Sequence, residues 1–226
     1  MKSIFKKALS VLSFSSMTPE KAKKKLEEMG ASTYFCSRYI DEPEKVRLFL
    51  IAGGTVDKSD VFKAIRYGYV ESVALMLQSP GFDINCKDSL GHTLLKEAIE
   101  YRQIAIVALL LASPGIDVNL ESGGYSPLSI AAKSGQSEIV ALLLSTSGID
   151  VNFGGIYSHG NPLYAAASNG RVDCVRLLLN AKGIRVDDIH VAAAKGDLCK
   201  QMILAKKNSI LNRLRKVGDF FKDAWG

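Results

Sequence analysis

The sequence has few of the residues on which small disulfide-stabilised or zinc-binding domains depend. It contains four cysteines in 226 residues, and no two of them form the CxxC pair that begins many zinc sites. This excludes a disulfide scaffold and favours a reducing compartment. Long hydrophobic runs are missing too, because the longest charge-free apolar stretch, residues 104–116, is too short to cross a bilayer. The sequence therefore predicts no transmembrane helix.

Motifs that carry catalysis or cofactor binding are also absent. The strings GxGxxG, GxxxxGK(S/T), GxSxG and HExxH do not occur, and the three histidines, His92, His159 and His190, are widely separated. The Gly154-Gly155 pair has no lysine soon after it, which argues against a phosphate loop. We therefore predict that the chain is not an enzyme and has no catalytic residue, metal site or cofactor.

The middle of the chain lacks an excess of positive charge, although the net charge is +6. Residues 1–30 hold seven lysines against three glutamates, and residues 205–226 hold six basic residues against two aspartates. The residues between them carry a net charge of −2. Because a nucleic-acid-binding domain concentrates positive charge on its folded surface, this distribution argues against a nucleic-acid partner.

The sequence does contain an internal repeat. Similar hydrophobic strings at residues 72–77, 106–111, 139–144 and 174–179 recur at spacings of 34, 33 and 35 residues. Each is followed by a segment of the type Gly-Ile-Asp-Val-Asn, which starts at Gly81, Gly115, Gly148 and, with changes, Gly183. Self-similarity at this period predicts a solenoid of stacked units.

Each unit is expected to fold as two short helices followed by an extended finger. Helices of fewer than about 12 residues are marginal in water, so each pair must bury its apolar residues against the neighbouring pair. A glycine after the first helix suits a left-handed helix end, and Arg102, which replaces it once, is expected to cost about 1 kcal/mol if it takes the same conformation. One small residue in each first helix allows close approach between neighbours: Ala64, Ala98, Ala131, Ala166 and Ala192.

These units resemble ankyrin repeats. That family's pattern G-x-T-P-L-H-x-A is met most fully by residues 124–131 (Gly-Tyr-Ser-Pro-Leu-Ser-Ile-Ala), and in part by residues 91–98, 161–166 and 189–192. The resemblance implies an all-α solenoid of helix-turn-helix units with β-hairpin-like fingers. Within a repeat domain at 18–207, four clear repeats (59–187) lie between degenerate caps at 18–57 and 188–207. Thr18 is predicted to cap a helix that starts at Pro19.

The resemblance further implies a non-catalytic module that binds another protein through its concave face and finger tips. Tyrosine and arginine often anchor such surfaces, so Tyr67, Tyr101, Tyr125 and Tyr157 are predicted as anchors. The long finger at residues 153–160 either tucks onto the stack or offers its apolar tip to the partner. The predicted partner-binding residues are Arg66, Tyr67, Ser89, Leu90, His92, Glu100, Tyr101, Ser122, Tyr125, Lys133, Ser134, Phe153, Tyr157, Ser168 and Asn169.

Several other polar residues are explained by structural roles. His190 coincides with the family's own histidine, which the resemblance implies is hydrogen-bonded at the start of a helix. The recurring finger aspartates and asparagines are typical of turns, and their carboxylates lie one unit apart, too far for a calcium site. Cys174 and Cys199 fall on second helices and are predicted to be small buried hydrophobic residues.

Both ends of the chain are basic. Residues 208–226 are predicted to form an amphipathic helix that either closes the stack, as the degenerate last unit favours, or lies on an anionic membrane. Residues 1–17 are predicted to be a flexible basic arm, with membrane contact or secretion targeting as alternatives. We expect a cytoplasmic monomer, and delivery into a host cell as an effector is the alternative location. In the membrane alternative the lipid-contacting residues are Leu214, Arg215, Lys216, Phe220, Phe221 and Trp225.

Overall fold

The computed structural model describes residues 17–31, 36–154 and 160–225, with side chains described up to residue 213 apart from those of Cys36 and Ser37. The chain falls into two compact units, of which one ends at Gly123 and the other begins at Gly124. The described elements are α-helices with one short 3-10 helix, and one isolated antiparallel bridge joins Lys87 to Thr93 in a finger. The prediction of an all-helical chain with hairpin-like fingers is therefore confirmed.

The first unit contains two complete helix pairs behind an N-terminal cap. Helix α1 packs on α2, and α2 packs on α4. Helices α3 and α4 form one pair, α5 and α6 form the next, and α3 lies beside α5. The bounds are α1 (Pro19–Glu28), a 3-10 helix (Cys36–Tyr39), α2 (Pro43–Ile51), α3 (Lys58–Tyr67), α4 (Val70–Met76), α5 (Leu94–Glu100) and α6 (Ile104–Leu111).

The second unit repeats this arrangement. First helices α7, α9 and α11 pack side by side, while second helix α8 packs on α10 and α10 packs on α12. Helices α7 and α9 are thus each covered by the next first helix, as stacked repeats require. The bounds are α7 (Pro127–Ser134), α8 (Ser137–Leu144), α9 (Pro162–Ser168), α10 (Val172–Asn180), α11 (Asp188–Ala193) and α12 (Asp197–Trp225).

Side-chain caps explain where the first helices begin. The side chains of Thr93, Ser126 and Asn161 accept hydrogen bonds from backbone amides three residues further on, at 3.1, 3.2 and 2.7 Å. Such bonds satisfy an amide that has no partner within its helix. Thr18 accepts from the Lys21 amide at 3.4 Å, with Pro19 as the first helical residue, so the predicted N-terminal helix is confirmed.

Left-handed residues end the first helices. Gly68 and Gly135 have φ angles of 78° and 75° at the ends of α3 and α7. Arg102, which occupies the same position after α5, has a φ of 54° and is the one non-glycine residue with positive φ among those described. Arg102 therefore takes the left-handed conformation for which the cost of about 1 kcal/mol is predicted.

Most of the repeat alanines are buried in the described structure. Ala64, Ala98, Ala131 and Ala166 are each fully buried. Ala192, for which the same role was predicted, is exposed on α11, because no first helix follows α11 in the described part of the chain. That expectation is therefore wrong for Ala192.

The C-terminal helix differs from its predicted bounds. Helix α12 runs without interruption over Asp197–Trp225, so the boundary predicted between residues 207 and 208 lies inside one helix. Its first turns replace the second helix of the last repeat, with Cys199 and Ile203 buried against α10 and α11. Both buried residues lie within the segment that the sequence predicts as the C-terminal cap, residues 188–207.

Candidate interaction surface

In the first unit, an ion pair joins the predicted binding residue Arg66 to a buried glutamate of the next repeat. Arg66 lies near the end of α3, and its Nε donates to the Glu97 carboxylate on α5. The Glu97 side chain is 2% exposed, whereas that of Arg66 is 42% exposed. The hydrogen bond to Glu97 is the largest cause of the raised pKa of Arg66, with smaller contributions from Tyr101 and Asp88. The pair therefore fixes a permanently charged guanidinium at the surface.

The neighbouring finger is held by Asp88. Its carboxylate accepts hydrogen bonds from the amides of Leu90 and His92 at 2.9 and 2.8 Å. Partial burial raises the pKa of Asp88, but these bonds outweigh burial and leave the pKa below its usual value. The turn presents Leu90 at the finger tip with 71% of its surface exposed.

Two exposed tyrosines flank the ion pair. Tyr67 follows Arg66 and is 68% exposed, and its ring stacks on Tyr69 with centroids 5.8 Å apart. Tyr101 follows Glu100 and is 50% exposed. We call Arg66, Tyr67, Leu90, Glu97 and Tyr101 the tyrosine patch. Aromatic and aliphatic groups exposed around a fixed arginine are typical of protein contact sites.

One group of side chains in this region has the composition of a metal site. His92, Glu97 and Glu100 each place one ligand atom within 4.8 Å of the others. However, Glu97 already accepts from Arg66, and Glu100 pairs with Lys96 at 2.8 Å. Because these cations already neutralise both carboxylates, the group is explained as a charge network.

Several predicted residues of the second unit form contacts within their own repeat. The Lys133 ammonium lies 5.0 Å from the centroid of the Tyr125 ring, a cation–π contact. Asn169 is exposed, but its amide donates to the Ala165 carbonyl at 2.8 Å, and Ser168 donates to the same carbonyl at 3.4 Å. The side chains of Ser168 and Asn169 therefore bond the last turn of α9, where this helix ends.

Five predicted positions remain. Ser89 and Phe153 are exposed and Ser134 is half-buried. Ser122 was expected on an exposed finger tip, but it is 1% exposed; its hydroxyl accepts from the Thr93 amide and donates to the Gly91 carbonyl, both at 3.1 Å. The expectation is therefore wrong for Ser122, which joins two fingers. Tyr157 lies outside the described residues, as does most of the long finger.

His190 has the structural role that the sequence predicts. It is fully buried, and its Nδ1 accepts from the Asp187 amide at 2.9 Å while Nε2 lies 3.2 Å from Asn161 Oδ1. Burial lowers the pKa of His190. The two cysteines predicted to be buried, Cys174 and Cys199, are each 1% exposed. Burial raises the pKa of Cys174 to about 11, so this thiol is not ionised at neutral pH.

Glu97 is the residue that sequence reasoning missed. It aligns with Ile130 and Ala165 in the two following repeats, so a carboxylate stands where the pattern has apolar side chains. A charge at a position that the repeat buries requires a partner nearby. That mismatch is the signal that could have indicated the pair with Arg66.

The lipid-contacting residues predicted on the C-terminal helix begin at Leu214, and their side chains lie outside the described part of the structure. Their backbone belongs to α12. Among the described residues, no helix combines the length and the apolar character needed to span a bilayer.

Comparison with known proteins identifies the family. The family model of ankyrin repeats in three copies matches residues 34–122, 61–155 and 120–190, which together span most of the chain. No curated protein matches the sequence. A similar solved structure is the ankyrin-repeat domain of Bcl-3, a member of the IkappaB family, at 22% identity and a TM-score of 0.67, covering 82% of this chain and 92% of that one.

A second similar structure is the ankyrin-repeat protein EF0377. It shares 25% identity and a TM-score of 0.58, and the match covers 68% of this chain and 82% of that one. The chain belongs to the ankyrin-repeat family.

Proposed function

We propose that the chain binds a protein partner through the tyrosine patch of its first unit and performs no catalysis of its own. Ankyrin repeats are in general protein-interaction modules. The observation that supports the patch is the exposure of Tyr67, Leu90 and Tyr101 around an arginine that is fixed by a buried carboxylate. Burying these three apolar side chains against a partner removes a large apolar surface from water.

The remaining predicted residues extend this proposal. Ser89, His92 and Glu100 border the patch, while Tyr125, Lys133, Ser134, Phe153, Ser168 and Asn169 are proposed as secondary contacts in the second unit. Ser122 is left out because it is buried. We also propose that the protein works as a cytoplasmic monomer, and the family admits an effector delivered into a host cell as the alternative.

Affinity capture tests the proposal with the intact chain as bait. We expect a partner that is captured by the natural protein and lost with Tyr67→Ala, Leu90→Ala and Tyr101→Ala combined. The matched control combines Met29→Ala and Ile189→Ala, which truncate apolar residues that are exposed elsewhere, at 36% and 41%. Unfolding midpoints of both variants should stay close to that of the natural protein, since the changed side chains are exposed.

Two results contradict the proposal. Undiminished capture by the triple variant removes the patch from the interface. Equal loss with the control variant shows that capture depends on general surface hydrophobicity instead of this site.

A further inference from the structure

Helix α12 is much longer than the helices on which it packs. It has 29 residues, whereas α10 has 9 and α11 has 6. At 1.5 Å per residue α12 extends about 43 Å and α10 about 13 Å. Most of α12 therefore lies beyond the reach of α10 and α11.

The part of α12 that packs on α10 and α11 ends close to residue 207. Cys199 and Ile203 are buried, and Lys207 forms an ion pair with Asp188 at the start of α11. Beyond that pair the described side chains are exposed, except for the half-buried Ile210. Leu211 has 45% of its surface exposed.

The apolar stripe of α12 continues past this point. With about 100° of rotation per residue, positions 210, 214, 217 and 221 fall within an arc of about 60° that also contains positions 199 and 203. These four positions hold Ile, Leu, Val and Phe. The face that is buried at the start of the helix thus stays apolar for three more turns, and Trp225 falls close to the same arc.

Charged residues are sorted around this stripe. Positions 213 and 216 lie about 40° and 100° from one edge of the arc, positions 222 and 215 lie about 80° and 100° from the other edge, and all four are basic. Asp219 and Asp223 occupy the opposite side of the helix. In a helix that lies on a membrane, basic residues on either side of an apolar face reach the lipid phosphates, and acidic residues on the opposite side face water. This arrangement is complementary to an anionic lipid surface.

We propose that residues 208–225 of α12 bind the surface of an anionic membrane through the apolar stripe at positions 210, 214, 217 and 221, with the basic positions 213, 215, 216 and 222 on either side of it. The helix lies in the plane of the interface and does not cross the bilayer. The first turns of α12 stay packed on the repeats. The membrane site is therefore separate from the tyrosine patch, and either can exist without the other.

Co-sedimentation of the full chain with vesicles tests the proposal. We expect the natural protein to pellet with phosphatidylcholine vesicles that contain phosphatidylserine, and far less with phosphatidylcholine alone. Arg215→Gln with Lys222→Gln should lower the partition coefficient on the anionic vesicles roughly tenfold or more, because each basic residue at such a surface contributes a factor of about five.

A pair of matched variants distinguishes the effect of the apolar stripe on vesicle binding from the effect of net charge. Leu214→Asp with Phe221→Asp places two carboxylates on the stripe, whereas Asn208→Asp with Asn212→Asp places two on the opposite, exposed side. Both variants change the net charge equally. We expect the first to bind anionic vesicles at least about tenfold more weakly than the second, because it loses two buried apolar side chains. Circular dichroism and unfolding midpoints should match in the two variants.

Three outcomes overturn the proposal: no preference for phosphatidylserine, equal binding by the two aspartate variants, or a lipid-free dimer that only the stripe variant abolishes. The last result assigns the stripe to a second copy of the chain. Partner capture by the stripe variant should be unchanged, so failure here leaves the tyrosine patch untouched, and failure of the patch leaves this test intact.

Discussion

The side-chain oxygen of Asn85 accepts a hydrogen bond from the backbone amide of Asp117 at 2.8 Å, across 32 residues of sequence. The Asn85 amide also donates to the Gly115 carbonyl at 2.8 Å. In the second unit Asn152 makes the same two bonds, to the Gly183 carbonyl and from the Arg185 amide, each at 2.9 Å. One asparagine per finger thus fastens the next finger in both units.

We expect Asn85→Ala and Asn152→Ala each to lower the free energy of unfolding by about 1 kcal/mol. Each removes two hydrogen bonds between fingers, and water replaces part of their energy because the fingers are exposed. Urea unfolding measures the change. Asn212→Ala, on an exposed position of α12, is the control and should change stability by less than about 0.5 kcal/mol. A finger variant that behaves like this control contradicts the role of the asparagine.

Arg102→Gly is expected to stabilise the protein by about 1 kcal/mol. Glycine adopts the left-handed conformation of this position without the steric cost that arginine bears there. Thermal and urea unfolding should both report the gain. A loss of stability would mean that the arginine side chain contributes more than its backbone costs.

The reciprocal change at the equivalent position provides the comparison. Gly135→Ala should destabilise by more than about 1 kcal/mol, because its φ of 75° is unfavourable for alanine. In addition, the new Cβ would lie 2.9 Å from Cδ of Arg171, which packs over this turn from the next repeat. Unchanged stability would show that the turn can adopt another conformation.

Leu110→Ala and Leu143→Ala are each expected to lower the free energy of unfolding by about 2–5 kcal/mol. Both leucines are fully buried in second helices, so truncation loses apolar burial and leaves a cavity. Denaturant unfolding of each single variant gives the value. A loss below about 1 kcal/mol would mean that the cavity is refilled by neighbouring side chains.

We expect the free energy of unfolding to fall in acid because of His190. Its Nδ1 accepts from the Asp187 amide, so the folded protein holds the ring neutral, and burial lowers its pKa below the ordinary 6.5. The unfolded chain therefore binds a proton more readily, and the contribution of His190, complete above about pH 6.5, is lost as pH falls toward the folded pKa.

Unfolding measured across this pH range, in the natural protein and in His190→Gln, isolates the effect. The variant should be less stable near neutral pH and should show a shallower decline on acidification. An identical pH dependence in the two proteins would assign the acid sensitivity to other groups.

Features that depend on nearby residues were predictable from the sequence. The start of α1 at Pro19, the left-handed Arg102 and the burial of four repeat alanines all follow from a local pattern repeated at a fixed period. The buried His190 followed from the family resemblance. In each case the determining residues lie within one repeat or at equivalent positions of adjacent repeats.

Features that depend on a specific partner in another repeat were not predicted. The Arg66–Glu97 pair joins residues 31 positions apart, and Ser122 is buried because it bonds Thr93 and Gly91 in the preceding finger. The continuity of α12 was missed for another reason. Charge composition suggested a boundary at 207, yet no glycine or proline lies there to end a helix.

The contact between Arg66 and Glu97 also affects how a partner would be bound. A free arginine side chain carries about 2 kcal/mol of rotamer entropy, much of which is lost when a complex immobilises it. Because Glu97 already restrains Arg66, that loss occurs during folding instead of during association. The guanidinium is therefore preorganised, and this favours a tight complex from a contact surface of modest size.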